Sequence, residues 1–216
     1  YGQLSLMAHH TKRIKLGTGV THPVTRATAV TASAMASLQE ESDGRAICGI
    51  GRGDSSAAHI GKRQATTKEL KNCIQTIQSY FRGESIDVGS MQSPIRWIDP
   101  NLIPPVPIDV ACTGPKTIQM ACEVSEKVSF AVGSSHERVS WAMSTALEHL
   151  EKIGRARDDI KIGAYINLIC DPDEKKAIGM ARMLAGLVAH FTAMKDAPID
   201  HLPSSLQKIS SSLKSE

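Results

Sequence analysis

"RAICGIGRGDSS", residues 45–56, decides how the rest of the chain is read. Its first half, Ala46 to Ile50, has the apolar character of a buried strand. Its second half sets glycines at 49, 51 and 53, followed by Asp54 and two serines. A backbone that bare at a strand end has three readings: a nucleotide loop, a tight turn, or the floor of a cofactor pocket. The dinucleotide fingerprint GxGxxG needs its third glycine at the sixth position and a helix that begins at once. Here the spacing is G-x-G-x-G, the next helical pattern opens only at Thr66, and no acidic residue closes a second strand at the required distance. The fingerprint does not fit. A P-loop at "CTGPKT" (112–117) fails too, because its first glycine would fall on Asp109. The glycines of 49–53 are left to be read as letting a flat ring system or a phosphate lie against the main chain, or as a plain turn.

Outward from this stretch, strand and helix patterns alternate. "RIKLGTGV" (13–20) reads as a strand, and 27–41 as a helix with Val30, Ala34 and Leu38 on one face, ended by Asp43-Gly44. "TTKELKNCIQTIQSYF" (66–81) is an amphipathic helix, with Thr66 and Glu69 spaced as a capping box and a stripe of Leu70, Ile74, Ile77 and Phe81. "VPIDVACTG" (106–114), "KVSFAVG" (127–133) and "KIGAYINLIC" (161–170) are further strands. Helices are expected from Pro115, from a Ser134/Glu137 box with a Val139, Met143, Leu147, Leu150 stripe, and from Asp171-Pro172 towards Met194. The serine-rich tail, 204–216, reads as weakly helical or frayed. Residues 83–105 are a proline-rich excursion, in which Ile95, Trp97 and Ile98 are expected to pack on something.

Such alternation means an α/β fold with parallel strands covered by helices. A doubly wound sheet and a (β/α)8 TIM barrel both fit the pattern. Five strands are counted, whereas a barrel needs eight and about 250 residues. On the barrel reading the chain is a partial barrel of about five βα units, with N-terminal and C-terminal units missing. Residues 1–216 are read as a single domain.

The formal charge of +3 is slight, aromatic residues make up only 4%, and no basic run is long, so nucleic acid is not an expected partner. No apolar stretch nears the roughly 18 residues of a membrane span, and nothing at the start resembles a signal peptide. The five cysteines are widely spaced and include no CxxC, which suits reduced core thiols in a cytoplasmic protein. The eight histidines show no metal-ligand spacing, and no metal is expected.

Ligands of either architecture gather at the carboxyl ends of the strands. Those ends are "GTGVTHP" (17–23), "GIGRGDSS" (49–56), "CTGPKT", "AVGSS" (131–135) and "NLICDPD" (167–173). At Thr113 and Gly114, free N–H groups at a helix start can meet an anion, with Lys116 adding charge; "AVGSS" repeats the arrangement. The alternative is that both are ordinary capped βα turns. His22, His59, Asp54 and Asn167 are the polar groups at or near strand ends that could act in catalysis, and none is an obvious acid or base. Asn167, set in an apolar strand, would need a buried partner or a ligand.

Taken together, "IKLGTGVTHPVTR", "TASAMASLQEESDGRAICGIGRGD", "ACTGPK", "FAVG" and "GAYINLI" resemble the bacterial-luciferase-like superfamily, most closely its methylenetetrahydromethanopterin reductase branch. The resemblance runs over roughly residues 11–195. It implies a TIM barrel, which favours the partial-barrel reading, and a homodimer in the full-length form. It implies an oxidoreductase transferring a hydride between a reduced flavin (FMN) or 8-hydroxy-5-deazaflavin (coenzyme F420) and an organic substrate. An FMNH2-dependent monooxygenase and a non-catalytic or inactive truncated relative are the alternatives. Carried over by position, Gly17, Thr18, Gly19 and Val20 would form a bulged strand end against the ring, with a non-prolyl cis peptide in that segment. Gly51, Gly53 and Asp54 would line the neighbouring wall, and Thr113, Gly114, Pro115, Lys116, Val132 and Gly133 would take the phosphate of the cofactor tail. The chain departs from the family at Ala27-Thr28, at Gln39 and at Arg52. The acidic residue proposed to act in the reductase branch is expected on a strand before residue 1.

Overall fold

A computed structural model describes residues 1–183 and Gln207. The chain divides into two compact units, Tyr1–Ala111 with Val124–Lys127, and Cys112–Glu123 with the residues from Val128 onward.

The first unit opens with helix α1 (Gly2–His10) and strand β1 (Leu16–Gly17), continues through α2 (Thr28–Glu41) and β2 (Ala46–Ile50), and then forms a short helix, α3 (Asp54–Ala58). Helix α4 (Thr67–Phe81), a two-stranded hairpin β3 (Ile86–Asp87) and β4 (Gln92–Ser93), and strand β5 (Ile108–Cys112) follow. β1, β2 and β5 are parallel neighbours in that order. Their inward side chains, Ile50, Ile108 and Val110, are fully buried with Met35 of α2 and Leu70, Ile74 and Ile77 of α4. Each such side chain contributes about 1.5–3 kcal/mol on burial. Beneath the sheet end, Lys127 Nζ meets the buried Asp109 carboxylate at 2.9 Å, and Glu126 accepts the Ile108 N–H at 2.8 Å.

Helix α4 follows its sequence closely. Thr66 Oγ1 accepts from Glu69 N and the Glu69 carboxylate accepts from Thr66 N, so two orphan donors of the first turn are satisfied. Leu70, Ile74, Ile77 and Phe81 are all buried. Helix α2 differs from expectation: Val30 is 54% exposed, and the buried face is Thr31, Ala32, Met35, Ala36, Leu38 and Gln39. The helix lies close enough to its neighbours that small side chains line the contact. In the excursion, Ile98 and Ile103 are buried as anchors while Trp97 remains 45% exposed, which corrects the expected packing of that indole.

The second unit contains helix α5 (Pro115–Val124, whose last residue belongs to the first unit), strand β6 (Lys127–Phe130, whose first residue does), α6 (His136–Ile153), β7 (Lys161–Ala164) and α7 (Glu174–Met183). β6 and β7 are neighbours, and Tyr165 N–H donates to the Phe130 carbonyl at 2.8 Å. The cap of α6 is Ser135, whose Oγ accepts from Arg138 N; Ser134 does not serve. Gly133, at φ +85°, turns the chain so that the helix begins one residue later than the spacing suggested. On α6 Leu150 is buried as expected, but Arg138, Ala142 and Ala146, each one position earlier than Val139, Met143 and Leu147, complete the buried face, and Leu147 is exposed. β7 ends at Ala164, six residues short of the expected strand, so Asn167 is an exposed residue after the strand and needs no buried partner. The expected extension of α7 to Met194 and the tail 204–216, Gln207 apart, lie outside the described residues.

Candidate functional site

In the first unit the tips of β1 and β2 are built on each other. The ladder pairs Leu16 with Ala46 and Gly17 with Ile47, then resumes with Thr21 opposite Ile50. Four steps on one strand therefore match three on the other, and the extra residue forms a bulge at 18–20. The Gly19–Val20 peptide bond within it is cis. Thr18 Oγ1 donates to the Gly49 carbonyl at 2.6 Å, Thr21 N–H to the same carbonyl at 2.8 Å, and Gly51 N–H to the Thr21 carbonyl at 2.9 Å.

The three glycines share one explanation, to which Gly53 adds a left-handed backbone. A Cβ at 49 would collide with the Thr18 carbonyl, one at 51 would stand 3.2 Å from Val20 Cγ2, and one at 53 would enter the His22 ring. Glycines two residues apart thus face Thr18, Val20 and His22, also two apart. The space they clear is taken first by the chain itself, and the bulge so accommodated presents an outer surface. Gly17, Gly19 and Val20 are exposed there, and residues 17–21 line a groove of about 370 Å³ with Tyr1, Gln3, Leu4 and Met7 of the N-terminal segment and with Arg26. The Arg26 guanidinium lies 5.5 Å from the centre of the Tyr1 ring, and Tyr1 Oη is 3.2 Å from Thr21 Oγ1. A groove of this size is in the range of small-ligand sites.

After Gly53, at φ +77°, helix α3 starts at once with Asp54, earlier than the expected dozen-residue gap. Arg52 is half-buried, with Nε donating to the Ala65 carbonyl at 2.6 Å. His22 is buried and engaged at both ring nitrogens: Nδ1 accepts from Val24 N–H at 3.3 Å, and Nε2 is 2.8 Å from Ser56 Oγ. Burial, and secondarily the Arg26 charge, hold its imidazole below the usual value. Engaged in this way, it offers no nitrogen to a substrate. His59 is exposed at the end of α3.

The second unit brings its own predicted residues together. Ala131 N–H donates to the Cys112 carbonyl at 2.8 Å, so the segments starting at Thr113 and at Val132 leave side by side. Thr113 and Gly114 lead into α5 at Pro115, and Lys116 is exposed in its first turn. Val132 is buried, with its carbonyl accepting from Arg138 Nε at 3.0 Å. Hydropathy alone overlooked Arg138. Its position three residues after a serine cap, at the start of a helix following a glycine turn, was the available signal. Among the described residues no cluster of His, Cys, Asp or Glu could hold a metal ion.

Comparison with known proteins identifies the family. The family model described as "Luciferase-like monooxygenase" matches residues 1–211. The chain is 33% identical over 199 residues to 5,10-methylenetetrahydromethanopterin reductase of Methanolobus tindarius, covering 87% of this chain and 58% of the relative. It is 28% identical over 190 residues to F420-dependent glucose-6-phosphate dehydrogenase of Beutenbergia cavernae, covering 83% and 56%. Among solved structures, the coenzyme F420 dependent tetrahydromethanopterin reductase from Methanopyrus kandleri matches with a TM-score of 0.74 at 25% identity, over 96% of this chain and 62% of that one. The chain spans less than two thirds of the length of these relatives. Its fold is α/β, that of a partial TIM barrel.

Proposed function

The chain belongs to the luciferase-like monooxygenase family, and from that premise we propose that it is an oxidoreductase moving a hydride between a reduced 5-deazaflavin, coenzyme F420, and an organic substrate. The observation that carries the proposal is the bulge at 18–20, seated on glycines 49, 51 and 53 and exposing Gly19 and Val20 along a groove. Backbone and one aliphatic side chain make a flat, uncharged wall, which suits the face of a tricyclic ring. The first unit's Gly17, Thr18, Gly19 and Val20 would hold that ring, with Gly51, Gly53 and Asp54 supporting them from behind. In the second unit, Thr113, Gly114, Pro115 and Lys116 with Val132 and Gly133 fit the phosphate of a cofactor tail: α5 starts there, and Lys116 adds charge. The bound cofactor supplies the hydride chemistry itself; these residues bind, orient and limit access of water. The choice of F420 over FMN follows the names of the similar proteins, two of which include F420.

We further expect a cytoplasmic homodimer. No described helix is long and apolar enough to cross a membrane. The relatives named above differ in substrate, so the substrate class stays at the level of a small organic molecule.

The test is reconstitution with coenzyme F420 and, separately, with FMN. Binding would be followed by absorbance, and turnover anaerobically with methylenetetrahydromethanopterin and with glucose 6-phosphate. The expected result is either oxidation of reduced F420 by methylenetetrahydromethanopterin or reduction of oxidised F420 by glucose 6-phosphate. Oxygen consumption that depends on FMNH2 would establish the monooxygenase alternative, and failure to bind either cofactor would remove the oxidoreductase reading.

A further inference from the structure

Helix α3 is only five residues long, and its Gly53 cap offers no side chain, so it lacks the length and the capping that keep helices formed. Something outside it must hold it against the neighbouring tip. His22 touches both. Its ring lies against Gly53, in the space a Cβ there would need. The Val24 N–H can only donate, so Nδ1 carries the lone pair and the single ring proton sits on Nε2. Nε2–H then donates to Ser56 Oγ on α3. One nitrogen serves the segment leaving the bulge, and the other serves the helix.

We infer that His22 is a positioning residue: a neutral, Nε2-protonated imidazole that ties the bulged tip at 17–21 to helix α3 and so fixes the surface offered to the cofactor. The tie follows from the geometry alone; its consequence for the cofactor rests on the oxidoreductase reading. Neither a catalytic base nor a Ser–His nucleophile pair fits, because the nitrogen facing Ser56 holds a proton rather than a lone pair.

The arrangement depends on the ring staying neutral. A proton on Nδ1 would face the Val24 N–H, donor against donor. Charged or titratable groups on the surrounding segments are Arg26 beyond its own strand tip, Arg52 on the adjacent tip, Asp54 on α3 and His59 just past it, with Lys62, Arg63 and Glu69 lining the pocket beside Pro23 and Val24. Burial and the Arg26 charge both oppose protonation of the ring. The folded value is lowered, so the unfolded chain takes up a proton first as pH falls through about 6.5. The tie therefore weakens on the acid side and is complete above that value.

Three variants separate the contributions. His22→Asn places an amide oxygen near Nδ1, His22→Gln places an amide N–H near Nε2, and His22→Ala removes both. In protein carrying 15N-labelled histidine, ring resonances of His22 at pH 7.5 are expected to show protonated Nε2 and bare Nδ1. A cationic ring or the opposite tautomer would overturn the inference. His22→Ala is expected to weaken F420 binding about tenfold, the consequence of stranding the Val24 N–H, with His22→Asn recovering most of it. The wild-type loss of affinity between pH 7.5 and 5.5 should shrink in His22→Asn. If His22→Ala does not fold, the tautomer and the His22→Asn pH profile decide. Equal affinity and equal pH profile in wild type and all three variants would refute the tie. Should wild type bind neither F420 nor FMN, the oxidoreductase reading fails alone. The tie would then be judged by the tautomer and by the acid-side difference in melting between wild type and His22→Asn.

Discussion

A Cβ at Gly49 would run into the Thr18 carbonyl, whereas a Cβ at Gly133 would meet nothing within 4 Å. Both glycines lie near the carboxyl end of a strand, and each answers a different demand. In the first unit glycine removes bulk so that one backbone can lie on another. In the second it lets the chain adopt φ +85° in open surroundings. The lesson is that a glycine-rich strand end is not one kind of object. The first unit's tip is crowded at its glycines; at Gly133 in the second unit only the dihedral calls for glycine.

Substitutions break this comparison at different points. Gly49→Ala should cost most, about 4 kcal/mol or more, because backbone must move to admit the methyl group. Denaturant unfolding would measure it, and a loss under about 1 kcal/mol would contradict the seat described for Thr18. Gly53→Ala combines a left-handed backbone with displacement of the His22 ring and should cost about 3 kcal/mol. Gly133→Ala has only the dihedral to contend with, so about 1 kcal/mol is expected. A larger loss there would show that the second tip is crowded after all. Thiol labelling gives the finest reading. Burial pushes the Cys48 thiol up to about 12 and Cys122 to about 11, so in native protein near neutral pH exposed Cys170 should react first. Gly49→Ala should open Cys48, its neighbour in β2, to the reagent, while Gly133→Ala should leave Cys48 protected.

The same contrast governs what could be read from the sequence. Helix α4 was legible because its instructions are local: a threonine and a glutamate three apart, then large apolar residues at helical spacing. The faces of α2 and α6 were not, because hydropathy favours Val30 and Leu147 where close packing selects Ala32, Ala36, Ala142 and Ala146. Arg138 is buried on the same face of α6 because the Val132 carbonyl accepts from it, a reason that no apolar stripe encodes. At the site, the strand ends carrying glycine could be located by motif. What the glycines at 49, 51 and 53 face could not, since it depends on a one-residue slip between two strands distant in sequence. Asn167 was misplaced for a related reason: "YINLI" has strand composition, yet the pairing stops at Ala164.

Gln39, noted first as a departure from family pattern, has a wider effect. Its amide N–H group donates to the carbonyls of Pro104 and Pro105 at 3.2 and 3.3 Å, while its amide oxygen accepts from Ala46 N at 2.9 Å. One side chain thereby latches the end of the excursion to the root of β2. At the other end, Gly83 turns at φ +73° beside Pro100. The intervening stretch is thus latched at one end by Gln39 and folded back on itself at the other. With Ile98 and Ile103 seated, exchange of the exposed residues 87–92 is expected to leave the register of β5 unchanged.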